Sequence, residues 1–387
     1  MLILDIMIPF VNLTGQRNAY RNELIEAEKS VLDSGCYIGG PVVNALEKEL
    51  GDFCGGVSAI TCASGTDALT LALMALGVGP GDEVIVPDFT FIAPAECVAF
   101  LGGVPRFADI DLETLQILPG SVEALIGPKT RGIIAVDLFG QCAPFKELRQ
   151  IAKAHGLWII EDAAQAFGAT TGTQHACTFG DISITSFYPS KPLGCYGDGG
   201  AVFTSDAQLA EKVRTLANHG SKERYLHESI GVNSRLDALQ AAVLRVKLRH
   251  LEDELKVRQE NARKYDEFFG GVNGAGGIDG AKIVPQKIAE GNTSTYAQYT
   301  VLAENRDAFI EKLTAAGIPH CIHYPMALHT QPCFAGSNNC ADKNSAAGLN
   351  SAAGLNSAER ASKMAVSLPV CAFTDVDFIL NKLRSVL

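Results

Sequence analysis

Short apolar runs alternate with stretches of helical periodicity through the N-terminal part of the chain. The runs predict strands at 59–62, 83–86, 105–108, 132–136, 158–160, 182–187 and 201–204. The segments 67–76, 144–155 and 206–217 repeat apolar residues at helical spacing and begin with polar residues or proline. Because parallel strands covered on both faces read as continuous apolar runs, this alternation indicates a layered α/β domain with a mostly parallel sheet.

A long amphipathic stretch from 234 to about 269 predicts one helix that leads into a second domain. The glycine-rich segment 270–280 predicts a loop, followed by a strand at 296–301, a helix at 306–316 and a final helix from Asp375 onward. We therefore expect a large α/β domain over 7–245 and a smaller α+β domain over 246–387. The direct repeat NSAAGL-NSAAGL-NSAER at 344–358 is interpreted as a duplication in a surface loop or helix start.

Composition and charge limit the kinds of protein that this chain can be. With 387 residues, 47% of them hydrophobic, the chain can bury a large core and form two domains. No run of about 18 uncharged apolar residues occurs, and no basic and then apolar leader, so we expect neither a membrane span nor a signal peptide, and a cytoplasmic location. The opening residues MLILDI receive no role. A net charge of −11 argues against nucleic acid or an anionic membrane as a general partner.

The cysteines predict neither a disulfide scaffold nor a metal site. All eleven are scattered through a long chain without pairs at zinc spacing. We expect most of them to be buried free thiols. Cys195 stands out because of its position in a glycine-rich loop, where a packing role is favoured over a chemical one.

That loop, SFYPSKPLGCYGDGG at 186–200, contains the first candidate for chemistry. Lys191 lies on a turn punctuated by proline and glycine, directly after an apolar strand. A fixed lysine becomes a nucleophile for carbonyl groups when desolvation or positive neighbours lower its pKa, and this setting favours a Schiff-base lysine. A solvated loop lysine is the alternative. Lys153 and Lys212, on helix-like stretches, show no such setting.

Three further features follow predicted strands, so they are expected at the same edge of the sheet. Asp162 ends an apolar strand and would keep its charge beside a cation such as a pyridinium nitrogen; Gln165 could bond the ring hydroxyl of the same group. Ser64-Gly65-Thr66 precede a helix and offer backbone N–H groups to a phosphate, with Ser186 as a further donor. Phe91 is a candidate stacking ring.

Each feature also has a plain structural explanation. Asp162 could be a helix N-cap, Ser64-Gly65-Thr66 an N-capped turn without a ligand, and Phe91 a core aromatic. Together, however, they form a phosphate cup, a stacking ring, an acid for a pyridine nitrogen and a loop lysine in this order along one sheet. That order indicates a fold-type I pyridoxal-phosphate enzyme, the aspartate aminotransferase-like α/β fold, with a mixed, mostly parallel seven-stranded sheet in its large domain.

The sequence resembles the DegT/StrS family of sugar-nucleotide aminotransferases from Met7 to the C-terminus. The matching strings are CASGTDAL at 62–69, GPGDEVI at 79–85, EDAAQ at 161–165, the lysine loop at 186–200, GVNSRLD at 231–237 and HYP at 323–325. The resemblance implies pyridoxal 5'-phosphate as the cofactor, bound covalently to Lys191. It also implies Asp162 and Gln165 on the cofactor ring, Phe91 stacked over it, and Gly65, Thr66 and Ser186 on its phosphate. It places an asparagine that matches Asn233 on the phosphate of the neighbouring subunit, and so implies a homodimer with shared active sites.

Within the family, the sequence looks most like enzymes that aminate a UDP-linked 3-keto glucuronate. This likeness lies in the lysine loop, in 231–235, in YAQYT at 296–300 and in 323–325. This resemblance implies a UDP-sugar substrate, L-glutamate as amine donor and a place in bacterial O-antigen synthesis. A uronate carboxylate calls for a bidentate guanidinium, for which Arg235 is well placed in its motif. His323 and Tyr324 are expected to close over the sugar from the partner subunit, or else to pack as part of a linker strand.

Three other functions remain open from the sequence. The first is an aminotransferase for another 3-keto or 4-keto hexose nucleotide that lacks the carboxylate. The second is a sugar dehydratase, which the presence of Lys191 disfavours because such relatives replace this lysine by histidine. The third is a non-catalytic regulator that binds pyridoxal phosphate on the same scaffold.

Overall fold

The computed structural model describes residues 8–274, 281–334 and 357–387. The opening residues MLILDI and residues 344–356 of the direct repeat lie outside these ranges. None of the helices within them is long and apolar enough to cross a membrane. The cysteines in the described ranges are free thiols, and most of them are buried, as expected.

A seven-stranded sheet forms the centre of the larger layered unit. Its strands are β1 (Ser58–Cys62), β2 (Glu83–Pro87), β3 (Val104–Ala108), β4 (Thr130–Val136), β5 (Trp158–Asp162), β8 (Ile182–Ser186) and β9 (Gly200–Thr204), with the short pair β6 (Thr170–Thr171) and β7 (Gln174–His175) outside it. The order across the sheet is β1-β9-β8-β5-β4-β2-β3, and β9 alone runs opposite to the other six. This arrangement confirms the predicted strands and the mostly parallel sheet.

Helices cover both faces of this sheet. They are α1 (Leu13–Ala19), α2 (Arg21–Ser34), α3 (Gly40–Phe53), α4 (Gly65–Leu76), α5 (Ala93–Phe100), α6 (Pro119–Ala124), α7 (Phe145–His155), α8 (Ala207–Ala217) and the start of α9 (Ala238–Gly274). Alternate residues of one strand enter opposite cores: Ile133 joins the core under α3 and α7, whereas Ile134 joins the core under α4, α5 and α8. The continuous apolar runs arise because both faces of each strand are buried.

A second, smaller sheet follows α9. It consists of β12 (Ile283–Pro285), β13 (Tyr299–Ala303) and β14 (Ala365–Leu368), and it packs with α10 (Arg306–Ala315), α11 (Ser357–Met364) and α12 (Val376–Val386). A hairpin of β10 (Ser221–Glu223) and β11 (Leu226–His227) precedes α9. The predicted domain boundary at residue 245 falls inside α9, so the division into 7–245 and 246–387 stays a prediction.

Three boundary predictions were wrong. The helix predicted from 234 begins at Ala238. The loop predicted from residue 270 begins later, because α9 continues to Gly274; Tyr265 and Phe269 are fully buried and hold this end of the helix in the smaller core. Residues 275–280 of the predicted loop lie outside the described ranges. The strand predicted from 296 begins at Tyr299, since Tyr296 has a φ of +44°, which ends extended backbone there.

Candidate active site

A cleft of about 490 Å³ opens where the parallel strands end. Gly65 and Thr66 follow β1, and Phe91 follows β2. Two polar groups end strands, since Asp162 and Ser186 are the last residues of β5 and β8, and the chain after these strands supplies Gln165 and Lys191. The predicted site residues that line this one cleft are Gly65, Thr66, Phe91, Asp162, Gln165, Ser186, Lys191, His323 and Tyr324. The convergence follows from the topology, because the carboxyl ends of parallel strands meet at one edge of a sheet.

Lys191 is half-buried in the cleft, and its side-chain amine has no hydrogen-bond or ion-pair partner among the described residues. Its backbone N–H donates to the carbonyl of Tyr188 at 2.9 Å, which fixes the turn. Burial lowers the pKa of the Lys191 ammonium, and the nearby charge of Asp162 opposes this shift. A lysine in this setting is not a solvated surface residue, and it can present a neutral amine to a carbonyl.

Asp162 lies on the cleft floor at the last position of β5 and is 5% exposed. Its Oδ1 accepts a hydrogen bond from the Ala164 N–H at 3.0 Å. Residues 164–168 form turns rather than a helix, so Asp162 is not an N-cap. Burial raises the pKa of the Asp162 carboxyl to about 6, while Lys191 pulls it down. A carboxylate desolvated in this way is stabilised by a cation that enters the cleft.

The Gln165 amide is oriented by its neighbours. Its Oε1 accepts a hydrogen bond from the Phe139 N–H at 2.9 Å, and its Nε2 donates to the Tyr324 hydroxyl at 3.4 Å. The acceptor end is therefore occupied by the backbone, and the donor end faces the cleft. Gln165 can donate a hydrogen bond to an oxygen of a bound molecule.

Small residues form the other end of the cleft. Ser64 caps α4 by accepting a hydrogen bond from the Asp67 N–H at 3.0 Å, so the predicted capped turn is present. The first N–H groups of a helix have no intrahelical acceptor, and together with the helix dipole they favour an anion. Ser186 faces this turn closely: a Cβ built on Gly65 would lie 2.7 Å from the Ser186 Cβ. The turn and the Ser186 hydroxyl can therefore bind one phosphate together.

We expect Gly65→Ala to weaken the binding of pyridoxal phosphate by about tenfold or more. The new methyl group would lie 2.7 Å from Ser186, and overpacking of this kind costs about 1–3 kcal/mol. Titration of the protein with the cofactor, followed by absorbance, measures the effect. Gly79→Ala is the matched control, because a Cβ there meets no atom within 4 Å. Equal affinities of the two variants would show that Gly65 does not border the phosphate.

Phe91 is 52% exposed and lines the cleft, so the alternative of a core aromatic does not hold. Its ring lies 6.2 Å from that of Tyr324 at an angle of 45°. An exposed ring over a polar cleft is available to stack on a planar ligand.

His323 and Tyr324 line the cleft of their own chain, which corrects the expectation that they act from the partner subunit. Tyr324 contacts Gln165 through its hydroxyl, and burial raises its pKa. Nδ1 of His323 lies 3.0 Å from the Ser367 hydroxyl. Burial lowers the pKa of His323 to about 4, so its imidazole is neutral at pH 7. Both residues lie in the segment that follows α10, and their side chains line the same cleft as Lys191.

Asn233 and Arg235 do not line this cleft. Asn233 is exposed and pairs with Asn218 through a backbone bridge. Arg235 is exposed and donates a hydrogen bond from Nη1 to the Asn218 Oδ1 at 3.3 Å. It lines a separate cavity of about 310 Å³. Within one chain the structure therefore leaves both residues away from the other predicted site residues.

Two cleft residues were missed as site candidates in the sequence. The hydroxyl of Thr90 and the Oε1 of Gln298 are buried without a hydrogen-bond partner among the described residues, and both side chains line the cleft. A buried polar atom without a partner is costly, so such atoms mark places where a ligand can complete the bond. Thr90 directly precedes Phe91, and Gln298 lies in the string YAQYT. Neither residue type signals chemistry before its burial is known.

The comparison with known proteins assigns this cleft to a family. The sequence matches the DegT/DnrJ/EryC1/StrS aminotransferase family over residues 18–377. The chain belongs to this family. It is a pyridoxal-phosphate-dependent sugar-nucleotide aminotransferase, as the resemblance implied.

Three similar proteins show how far the likeness extends. The chain is 47% identical to the UDP-2-acetamido-2-deoxy-3-oxo-D-glucuronate aminotransferase of Pseudomonas aeruginosa, over 85% of this chain and 89% of that one. It is 42% identical to the UDP-N-acetyl-3-dehydro-alpha-D-glucosamine 3-aminotransferase of Acidithiobacillus ferrooxidans, over 85% and 86%. S. venezuelae DesV, solved in complex with a ketimine intermediate, superposes with a TM-score of 0.88 at 37% identity and covers 98% of both chains. These likenesses confirm the fold-type I assignment and the transaminase chemistry.

The residues present fit pyridoxal phosphate. An amine without a partner lies at Lys191, a desolvated carboxylate suited to a pyridinium nitrogen lies at Asp162, and a donor amide lies at Gln165. The capped turn at Gly65 has the close approach that a phosphate site needs. The charges and hydrogen-bonding groups of the cleft therefore match the aldehyde, the ring and the phosphate of the cofactor.

Proposed function

We propose that this protein transfers the amino group of L-glutamate to the 3-position of UDP-2-acetamido-2-deoxy-3-oxo-D-glucuronate, for synthesis of bacterial O-antigen or another surface polysaccharide. The observation that carries the proposal is the 47% identity to the Pseudomonas aeruginosa enzyme of that name. The Acidithiobacillus ferrooxidans relative is also named for a 3-dehydro UDP-amino sugar, which supports the UDP group and the 3-position independently of the carboxylate.

The chain's own groups have distinct roles in this proposal. The cofactor, when bound, supplies the carbonyl that accepts the amino group and a ring that withdraws electrons from the reacting carbon. Lys191 would hold it covalently at rest and, when displaced by the amino donor, would remain beside it as a base that moves a proton. Asp162 would keep the ring nitrogen protonated, and Gln165 would donate to the ring hydroxyl. Ser186 with the turn at Gly65 and Thr66 would bind the phosphate.

The charge of the substrates supports a shared site in a homodimer. Glutamate, a uronate and a diphosphate are all anionic, yet no arginine lines the cleft within the described residues. Arg235 is exposed, and within the described ranges its side chain has one hydrogen-bond partner, the Asn218 Oδ1 at 3.3 Å; Asn233 is exposed close by. We propose that a second copy brings Asn233 to the cofactor phosphate and Arg235 to the sugar carboxylate. The pairing of an arginine with a carboxylate by two charge-assisted hydrogen bonds gives the specificity.

We expect Arg235→Ala to lower kcat/KM for the 3-oxo glucuronate nucleotide by about 10- to 100-fold, since a charge-assisted hydrogen bond contributes about 1.5–3 kcal/mol. Turnover of UDP-N-acetyl-3-dehydro-glucosamine, which has no carboxylate, should change little. The amino-sugar product is measured by mass with glutamate as donor, and 4-oxo sugar nucleotides are included in the panel. Equal losses on both 3-oxo substrates would contradict the role of Arg235. Faster wild-type turnover of a neutral or 4-oxo sugar would favour the alternative substrate class.

Mixing the inactive Lys191→Ala variant with the impaired Arg235→Ala variant tests whether the site is shared. A dimer of one Lys191→Ala chain and one Arg235→Ala chain has one complete site if Arg235 reaches across to the partner's Lys191. Uronate turnover should then recover to about half of the wild-type value per mixed dimer. No recovery in mixed dimers would place Arg235 and Lys191 in the same chain's site and contradict the shared arrangement.

A further inference from the structure

Lys247 is a fully buried lysine outside the cleft, on the helix α9. Its side chain is 2% exposed, and its Nζ donates a hydrogen bond to the Gly194 carbonyl at 2.6 Å. The same Nζ lies 4.2 Å from the centre of the Tyr196 ring, within the range of a cation–π contact. Both partners belong to the loop that carries Lys191.

A methionine or leucine at this position would avoid the cost of burying an ammonium group. Burial lowers the pKa of Lys247 to about 8, so the side chain is still predominantly charged at pH 7. Glu254, seven residues and about two turns further along the same face of α9, is the acidic group whose charge favours the ammonium. The mechanism proposed above uses none of these groups.

A short chain of contacts leads from Lys247 to the reactive lysine. Gly194 packs so tightly on the preceding turn that a Cβ there would lie 2.5 Å from the Pro189 carbonyl oxygen and 2.7 Å from that of Tyr188. The Tyr188 carbonyl accepts the backbone N–H of Lys191 at 2.9 Å. Lys247 therefore fixes the Gly194 peptide, and this peptide packs against the turn that carries Lys191.

Other bonds of the loop do not involve the Gly194 carbonyl. The Cys195 N–H donates to the Phe187 carbonyl at 2.8 Å, and the Cys195 thiol lies 3.1 Å from the same oxygen, which agrees with a packing role for this cysteine. Gln240 of α9 accepts the Tyr196 N–H at 2.8 Å. These contacts fix the returning segment of the loop, whereas the Gly194 carbonyl beside the Lys191 turn accepts its side-chain hydrogen bond from the Lys247 ammonium, the one such donor among the residues that the structure describes.

We propose that Lys247 is a positioning residue that holds the amine of Lys191 at the place where it bonds to the cofactor. The inference rests on the proposed role of Lys191. A displacement of about 1 Å can slow a reaction between fixed groups by as much as 100-fold. Loss of Lys247 should therefore slow formation of the bond between lysine and cofactor, while binding of the cofactor's phosphate and ring is retained.

The test uses the full-length protein freed of cofactor. Pyridoxal phosphate is added, samples are treated with borohydride at intervals, and the label on the Lys191 peptide is measured by mass. We expect Lys247→Met to slow labelling about 10- to 100-fold and to bind pyridoxamine phosphate, which cannot bond to a lysine, as tightly as wild type. Lys256→Met is the matched control, because Lys256 lies on the same helix with an exposed side chain paired to Asp253; it should behave as wild type.

Tyr196→Leu is a second variant that removes the other contact of the ammonium at a position 36% exposed, and it should slow labelling by several fold. It decides the question if Lys247→Met does not fold. Labelling at the wild-type rate in either folded variant overturns the proposal. The proposal is also overturned if pyridoxamine phosphate binding falls by the same factor as labelling, since that pattern indicates that the whole site is disturbed. Absence of label on Lys191 in the wild-type protein would instead contradict the proposed function.

Discussion

Replacement of Lys191 by alanine abolishes amino-group transfer, with an expected loss of more than about 10⁴-fold in kcat. The reason is that one side chain would both hold the cofactor and move the proton at the reacting carbon, and general acid–base catalysis alone contributes about 10²- to 10⁴-fold. No other described lysine lines the cleft. Single-turnover formation of the amino-sugar product, followed by mass, measures the loss. Borohydride treatment of the wild-type protein should label the peptide that contains Lys191.

Two further variants distinguish the covalent bond of Lys191 to the cofactor from the positive charge of its side chain. Lys191→Arg keeps a cation near Asp162 but cannot form the covalent link, so it should be as inactive as the alanine variant. Lys153→Ala removes an exposed helical lysine and should leave turnover unchanged. Product formation by Lys191→Ala at a rate near that of wild type, or label on a different lysine, would contradict the assignment.

The strands of the large sheet were predictable from the sequence because burial on both faces leaves an uninterrupted apolar run. Ile133 and Ile134 illustrate this, since neighbouring positions of β4 enter opposite cores. The end of α9 was not predictable from local composition. Gly270 and Gly271 favour a loop, but the packing of Tyr265 and Phe269 in the smaller core keeps the backbone helical beyond them.

The cleft residues that could be predicted from the sequence are those that end or directly follow a strand of the large sheet. Asp162 and Lys191 could be placed together because parallel strands bring their following loops to one edge. Thr90 and Gln298 were missed, since their significance lies in buried atoms without partners, a property of the folded chain. His323 and Tyr324 were expected either from the partner subunit or in a packed linker strand, whereas they line the cleft of their own chain, because the sequence does not show how the segment after α10 packs on the larger unit.

The role of Lys247 also could not be predicted from the sequence. At helical spacing its neighbours Val243, Leu244 and Leu251 are apolar, so the pattern of α9 places Lys247 on the buried face of the helix but does not show what its ammonium group bonds there. Only the packing of the lysine loop on this helix makes it a buried ammonium with one carbonyl acceptor. A charged residue on the apolar face of a helix can be recognised in the sequence, whereas its partner in a distant loop cannot.

Replacement of Asp162 by asparagine should lower kcat by about 10²- to 10⁴-fold. In the folded protein this carboxylate is almost fully buried, and removal of one partner of a buried charge pair costs about 3–5 kcal/mol. Asparagine keeps the size of the side chain and can still accept the hydrogen bond of the Ala164 N–H, so the turn after β5 should persist. The loss is then electrostatic: the ring nitrogen of the bound cofactor is no longer held in its protonated form.

The pH dependence of cofactor binding identifies the same carboxylate. Because burial raises the pKa of Asp162 to about 6 in the protein without cofactor, its proton must be released below that pH before it can pair with a cation. Wild-type affinity for pyridoxal phosphate should therefore fall as the pH drops below about 6, by up to tenfold per unit, and Asp162→Asn should lack this slope. Titrations between pH 5 and pH 8, with the cofactor's own ionisation corrected by pyridoxal phosphate in buffer, measure it. An identical slope in both proteins would mean that another group titrates and that Asp162 does not face the ring nitrogen.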